Sequence, residues 1–185
     1  MFASHFHYSW FNTGPYAAEN LATWTPGSND VGNITGDIVT TLPDGTPFPK
    51  GQALLEWLGV VGALQNGVLP IQEARHNADV APANRYSQSW ITASAGSPNP
   101  DATQYFSFNT PTSAADTPDA MFCGRVVYSD LHVGAAAGDD PAQPVPTECA
   151  ASALSPQEAA LEFMLFDLSS CLTPDDRPPV PPMVM

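Results

Sequence analysis

Apolar and polar residues alternate most clearly over residues 123–133, Cys-Gly-Arg-Val-Val-Tyr-Ser-Asp-Leu-His-Val. In an extended chain Arg125, Val127, Ser129, Leu131 and Val133 share one face, and Val126, Tyr128, Asp130 and His132 the other. Val126-Val127-Tyr128 is apolar on both faces, the mark of a strand covered on both sides. Polarity returns at Asp130 and His132, the carboxyl end, where open α/β sheets place their ligands. A second strand pattern runs over 1–10, with Phe2, Ser4, Phe6, Tyr8 and Trp10 on one face and Ala3, His5, His7 and Ser9 on the other. Residues 104–108 alternate as a third strand, while 34–42 and 68–71 read as short β-prone pieces and 86–92 as the start of another short element.

Two helices stand out. Residues 51–63 carry Leu54, Leu58 and Val61 on one stripe, with Asn66-Gly67 as the stop. The second opens on Ser155 as N-cap, Pro156 in the first turn and Glu158 closing a capping box, and is apolar almost all round to Leu168, which predicts deep burial. Residues 134–154 are a Gly/Ala/Pro-rich loop with Asp139, Asp140 and Cys149, and 173–185 a proline-rich tail of polyproline character. These elements predict an α/β fold: a partial doubly wound, flavodoxin-like, mostly parallel sheet with a buried C-terminal helix. They place a single domain over 1–172. The strand pattern at Met1 has no preceding turn, so the domain is expected to be incomplete and prone to self-association through an open edge.

Composition narrows the classes. The chain has 185 residues, with 19 acidic against 5 basic side chains and a net charge of -14. Such a chain has little with which to neutralise phosphates or dock on an anionic bilayer. No apolar run is long enough to span a membrane, and residues 1–7 lack the form of a signal peptide. The three cysteines point to an oxidising compartment, with one lacking a partner. If the last helix returns beside the strand that starts at 124, Cys171 approaches Cys123. Cys123–Cys171 is therefore the favoured disulfide, with Cys149 free or paired upstream.

Candidate chemistry lies at the strand ends. If the strands at 1–10 and 124–133 are parallel neighbours, His5 and His7 converge with His132 and Asp130, a donor set suited to zinc or another divalent ion. His5, His132 and Asp130 are also the candidate acid/base groups. The plainer reading makes them polar residues bonded to nearby loops, since no HExxH-type context surrounds them. Trp10, Phe11, Tyr16 and Trp24 form an aromatic cluster suited to stacking on sugars or docking a protein, or else to anchoring their own loop. Ser4-His5 lacks the G-x-S-x-G context of a nucleophile elbow.

The run Gly124-Arg-Val-Val-Tyr-Ser-Asp-Leu-His132, with its following loop and closing helix, resembles the end of the ThuA-like group of the class I glutamine-amidotransferase-like superfamily. Met1-Phe-Ala-Ser-His5 resembles that group's central strand, and Glu73-Ala-Arg-His76 its acidic-His-Pro turn, with Asn77 in place of the proline. Leu154-Ser-Pro-Gln-Glu-Ala-Ala-Leu-Glu-Phe-Met-Leu-Phe-Asp-Leu-Ser-Ser-Cys171 is similar to the ending of large secreted bacterial multidomain proteins. The resemblance implies the last two-thirds of such a domain and an extracellular or cell-surface place. It carries over no catalytic triad, because Ser4-His5-Phe6 stands where an amidotransferase has its cysteine. Two functions are expected: a non-catalytic interaction module for carbohydrate or a surface protein, needing no cofactor, or a metal-assisted hydrolase using His5, His7 and His132.

Overall fold

The computed structural model describes residues 1–14, 16, 19–27, 29–116, 121–133, 154–169 and 175–178. Eight strands lie in chain order at β1 (Phe2–Ser4), β2 (Thr23–Trp24), β3 (Asp30–Ile38), β4 (Leu69–Arg75), β5 (Ala78–Asp79), β6 (Ser87–Ala93), β7 (Thr103–Thr110) and β8 (Gly124–Ser129). The helices are α1 (Tyr8–Asn12), α2 (Pro49–Val60) and α3 (Pro156–Ser169), with 3-10 turns at His5–His7 and Thr112–Asp116.

Six strands form one sheet in the order β1-β8-β7-β6-β3-β4, and β2 pairs with β5 in a separate ribbon. Only the β1–β8 pair is parallel; β8–β7, β7–β6, β6–β3 and β3–β4 are antiparallel. The sheet is therefore mostly antiparallel and curls into a half-barrel, which corrects the expected flavodoxin-like, amidotransferase-like architecture. The physical reason lies in the cover and the connections. A strand apolar on both faces needs cover on both faces, and an antiparallel sheet can have that as well as a parallel one. The link 94–102 between β6 and β7 is also shorter than the roughly dozen residues a parallel crossover requires.

The two covers are separate cores. On one face α2 and α3 pack over Ile34, Leu69, Ile71, Trp90, Ile91, Tyr105 and Val127. On the other, Phe11, Leu21, Ala22 and Ala78 pack over Ala3, Phe106, Phe108, Val126 and Tyr128. Neighbours Val126 and Val127 thus belong to different cores, as the alternation requires. α2 comes close to the sheet through Gly51, where an added Cβ would sit 2.0 Å from the Val39 carbonyl oxygen.

Local chemistry accounts for the shifted boundaries. The first strand stops at Ser4 because its backbone N–H donates to His7 Nδ1 at 3.0 Å, which turns the chain into a helical segment. α2 ends before Gly62, whose φ of 72° is left-handed, so Val61 leaves the stripe and is 44% exposed. α3 has its capping box, with Ser155 N–H donating to Glu158 Oε2 at 2.6 Å and Glu158 N–H to Ser155 Oγ at 3.3 Å. It is less buried than its apolarity suggests: Ala159, Ala160 and Met164 are buried, yet Leu165 and Phe166 face outward.

Four charged side chains join the helices to the sheet. Lys50 of α2, Arg125 of β8, Asp167 of α3 and Asp175 meet, with Lys50 Nζ 3.1 Å from Asp167 Oδ1 and Arg125 Nη1 2.6 Å from Asp167 Oδ2. Asp175 pairs with Arg125, whose Nε also donates to Asn109 Oδ1 at 3.0 Å. The end of α3 does return beside the start of β8, but the contact there is Arg125–Asp167. Cys123 points outward as a free, exposed thiol, so the Cys123–Cys171 disulfide is not formed. Cys149, Cys171, Asp139, Asp140 and most of the proline-rich tail lie outside the described residues. Among the described residues no helix is long and apolar enough to cross a membrane.

Two outcomes follow from this architecture. Arg125→Met leaves two carboxylates in the interior with less compensation and should cost about 3–5 kcal/mol of stability, read from the urea midpoint; a loss below about 1 kcal/mol would show that the quartet is dispensable. The folded, unreduced protein should be alkylated by maleimide at Cys123, and a blocked Cys123 released only by reductant would contradict the free thiol.

Candidate functional site

Parallel pairing sets Ser4 opposite Ser129, so β1 and β8 end at the same level and the residues after each leave the sheet side by side. The His5 ring then meets the His132 ring edge-on, with centroids 5.6 Å apart. His132 Nδ1 lies 3.2 Å from Glu73 Oε2. Glu73 reaches this position from β4 with a φ of 51°, a left-handed conformation that costs an ordinary residue about 1–2 kcal/mol and that recurs where function constrains the chain. Gln157 in the first turn of α3 ties these ends together, donating to the carbonyls of His132 (2.5 Å) and Gln72 (3.0 Å) and accepting the Gln72 N–H.

Asp130, directly after β8, is fully buried. Its Oδ2 accepts the backbone N–H groups of Asn77 (2.7 Å) and Ala78 (3.0 Å), and its Oδ1 lies 3.0 Å from the Tyr128 hydroxyl. That hydroxyl is also 2.9 Å from the His5 carbonyl. The one hydroxyl hydrogen satisfies both contacts when Tyr128 donates to His5 and a protonated Asp130 donates to Tyr128. Burial agrees, pushing the Asp130 carboxyl up to about 7 against the pull of the two N–H groups and Tyr128. His5 moves the other way. It is 4% exposed, and burial first, then the nearby His132, Arg75 and His7, lower it to about 4, so its imidazole is neutral.

Of the chain's four histidines, His76 also lies in this network. His76 follows β4 at the turn that supplies the Asn77 N–H, and its Nε2 is 2.9 Å from both oxygens of Asp79. Arg75 pairs with Asp30 at 2.6 Å and donates its backbone N–H to the Asp130 carbonyl. His7 is directed elsewhere: its Nδ1 faces Ser4 and its ring packs on Trp10 at 4.2 Å. The expected donor set therefore brings His5 and His132 together without His7. Among the described residues no group of three or more His, Cys, Asp or Glu side chains is arranged to hold a metal ion, which removes the geometric support for the metal-assisted hydrolase. Ser4 Oγ, 3.1 Å from His7 Nδ1, belongs to the turn that starts the helical segment.

The aromatic cluster divides. Phe11 is buried, stacks on Trp24 (5.7 Å, 12°) and contacts Tyr16 (6.0 Å), while Tyr16 and Phe108 meet edge-on at 5.8 Å. These three anchor the N-terminal segment to the sheet. Trp10 remains outward at 51% exposure, joined by Phe6 at 64%, and the Phe6 ring packs on His5 at 4.2 Å. Sequence reading passed over Phe6, although its i,i+4 spacing from Trp10 was the available signal. In the sequence Glu73 stands out only within the Glu73–His76 resemblance, and Tyr128, Asn77 and Gln157 carry no signal as polar partners. A separate cleft of about 320 Å³, lined in part by Asp44, Arg85 and Tyr86, holds less free chemistry, because Arg85 is bound to Asp116.

Opposite shifts of Asp130 and His5 predict a pH signature. The folded protein keeps the Asp130 proton where the unfolded chain has released it, so that stabilisation is complete below the usual 3.8 and is lost as pH rises through about 7. His5 gives stabilisation complete above 6.5 and lost as pH falls through about 4. Between pH 4 and 6.5 the two oppose each other. Relative to the parent, stability of Asp130→Asn should rise with pH across this window and that of His5→Gln should fall, each by at most about 1.4 kcal/mol per unit. Denaturant titrations at a series of pH values measure this; parallel profiles for all three proteins would refute it. No protein-family model matches this chain, and neither does any curated protein or solved structure.

Proposed function

We propose that this chain is a non-catalytic binding module of an exported bacterial protein, and that its ligand is a carbohydrate held where β1 and β8 end. The observation that carries this reading is the meeting of His5 with His132, with Glu73 and Arg75 nearby, beside the exposed ring of Phe6, while the Trp10 ring also faces outward. Sugars present apolar C–H faces rimmed by hydroxyls. Aromatic faces cover the former, and imidazole, carboxylate and guanidinium groups hydrogen-bond the latter. The neutral His5 suits a hydroxyl partner, since its ring can donate and accept without carrying a buried charge. His132 and His76 each hydrogen-bond a carboxylate and Arg75 pairs with Asp30, an array of hydrogen-bonding groups suited to the hydroxyls of a neutral ligand. The acidic, lysine-poor composition and the likeness of 154–171 to the endings of secreted proteins support an extracellular or cell-surface place.

Titration with a panel of oligosaccharides, followed by tryptophan fluorescence and calorimetry, tests this. At least one saccharide should bind saturably, and Trp10→Ala should weaken it about tenfold or more, the equivalent of roughly 1.4 kcal/mol. His132→Ala should weaken it further without changing the circular dichroism. Binding by neither sugar nor variant-sensitive surface would sink the reading, and capture of a defined surface protein through Trp10 alone would replace the sugar with a protein partner.

A further inference from the structure

The quartet that joins helices to sheet holds chemistry beyond ion pairing. Lys50 is the chain's only lysine and is 1% exposed. Its Nζ stands 3.1 Å from Asp167 Oδ1, in direct contact with the carboxyl group whose Cγ it would attack. The other oxygen of Asp167 accepts Arg125 Nη1 at 2.6 Å. Asp175 reaches both cations, lying 3.8 Å from Lys50 Nζ and paired with Arg125. An amine, a carboxyl carbon, a guanidinium on the oxygen opposite the amine and a second carboxylate beside it thus share one buried site.

We propose that Lys50 and Asp167 condense into an isopeptide bond that joins α2 to α3. Asp175 first takes a proton from the Lys50 ammonium. The free Nζ attacks Cγ of Asp167, forming the Nζ–Cγ bond, and Arg125 holds the negative charge that builds on Oδ2. The Cγ–Oδ1 bond then breaks, and Oδ1 leaves as water, carrying the proton returned by Asp175 and one more from Nζ. An ammonium and a carboxylate become an amide and one water, with no net change of charge and no oxidant, reductant or co-reactant.

Two physical terms favour this outcome. Burial and the neighbouring Arg125 lower the Lys50 ammonium below its ordinary range, which raises the share of nucleophilic amine. Two desolvated charges are replaced by a neutral amide, and the remaining Arg125–Asp175 pair is still balanced. In water the separated ions would be preferred; in this dry site their solvation is absent and the reacting groups are already in contact.

Intact-mass spectrometry of the full, denatured chain decides the matter. The purified protein should be lighter than its sequence by one water molecule, and digestion should yield a branched peptide containing Lys50 and Asp167. Lys50→Gln, which lacks the nucleophile, should run at its full sequence mass. Asp175→Asn, a conservative change at a partly exposed side chain, should also keep its full mass while its near-ultraviolet circular dichroism matches that of the parent. A folded parent protein that remains at its full sequence mass after prolonged incubation would overturn the proposal and leave the quartet as ion pairs alone. So would a loss of water that persists in Lys50→Gln.

Discussion

The meeting of Lys50, Arg125, Asp167 and Asp175 is the constraint on which the rest of the structure depends. Two helices far apart in sequence dock on the start of one strand, and each brings a charge that pairs with the others. Buried charge is costly when unpaired, so α2 and α3 cannot slide on the sheet without exposing that cost. β8 is thereby positioned, and β1 follows, since the Val127 N–H donates to the Met1 carbonyl at 2.9 Å. The level at which β1 and β8 end, and hence the meeting of His5 with His132, traces back to this anchor.

Around the strand ends the polar groups are arranged in pairs. His132 has Glu73, His76 has Asp79, and Arg75 has Asp30. Asp130, with no salt-bridging cation, lies instead among two backbone N–H groups and a tyrosine hydroxyl. Each of these side chains thereby has a hydrogen-bonding partner. A site of this kind favours hydrogen bonding to an uncharged partner over capture of a bare cation. The outward rings of Phe6 and Trp10 would supply the apolar contact that the proposed ligand needs to leave water.

Several expectations failed for one shared reason: a local pattern has more than one tertiary solution. Val126-Val127-Tyr128 required cover on both faces, and cover by helices on one side and an N-terminal segment with a β-ribbon on the other satisfies that as well as a doubly wound sheet does. Strand alternation over 1–10 gave way at Ser4 to a turn stabilised by His7, because a side chain three residues on could satisfy the backbone there. Phe11, Tyr16 and Trp24 looked available for a ligand, but their partners Phe108 and Tyr128 are distant in sequence. Cys123 is a free, exposed thiol, and the contact between α3 and the start of β8 is made by Arg125 and Asp167 instead.

By itself the sequence determined the strands at 104–108 and 124–129, the two helices that became α2 and α3, the two-faced burial of β8, the capped start of α3 and the emergence of polarity at Asp130 and His132. These follow from side-chain periodicity and from bonds between residues a few positions apart. Strand direction, the half-barrel curl, the burial of Lys50 and the assembly of His5, Glu73, Asp130 and His132 were decided only by the tertiary structure. They depend on which distant groups neutralise one another's charges and satisfy one another's hydrogen bonds, and nothing in local spacing encodes that choice.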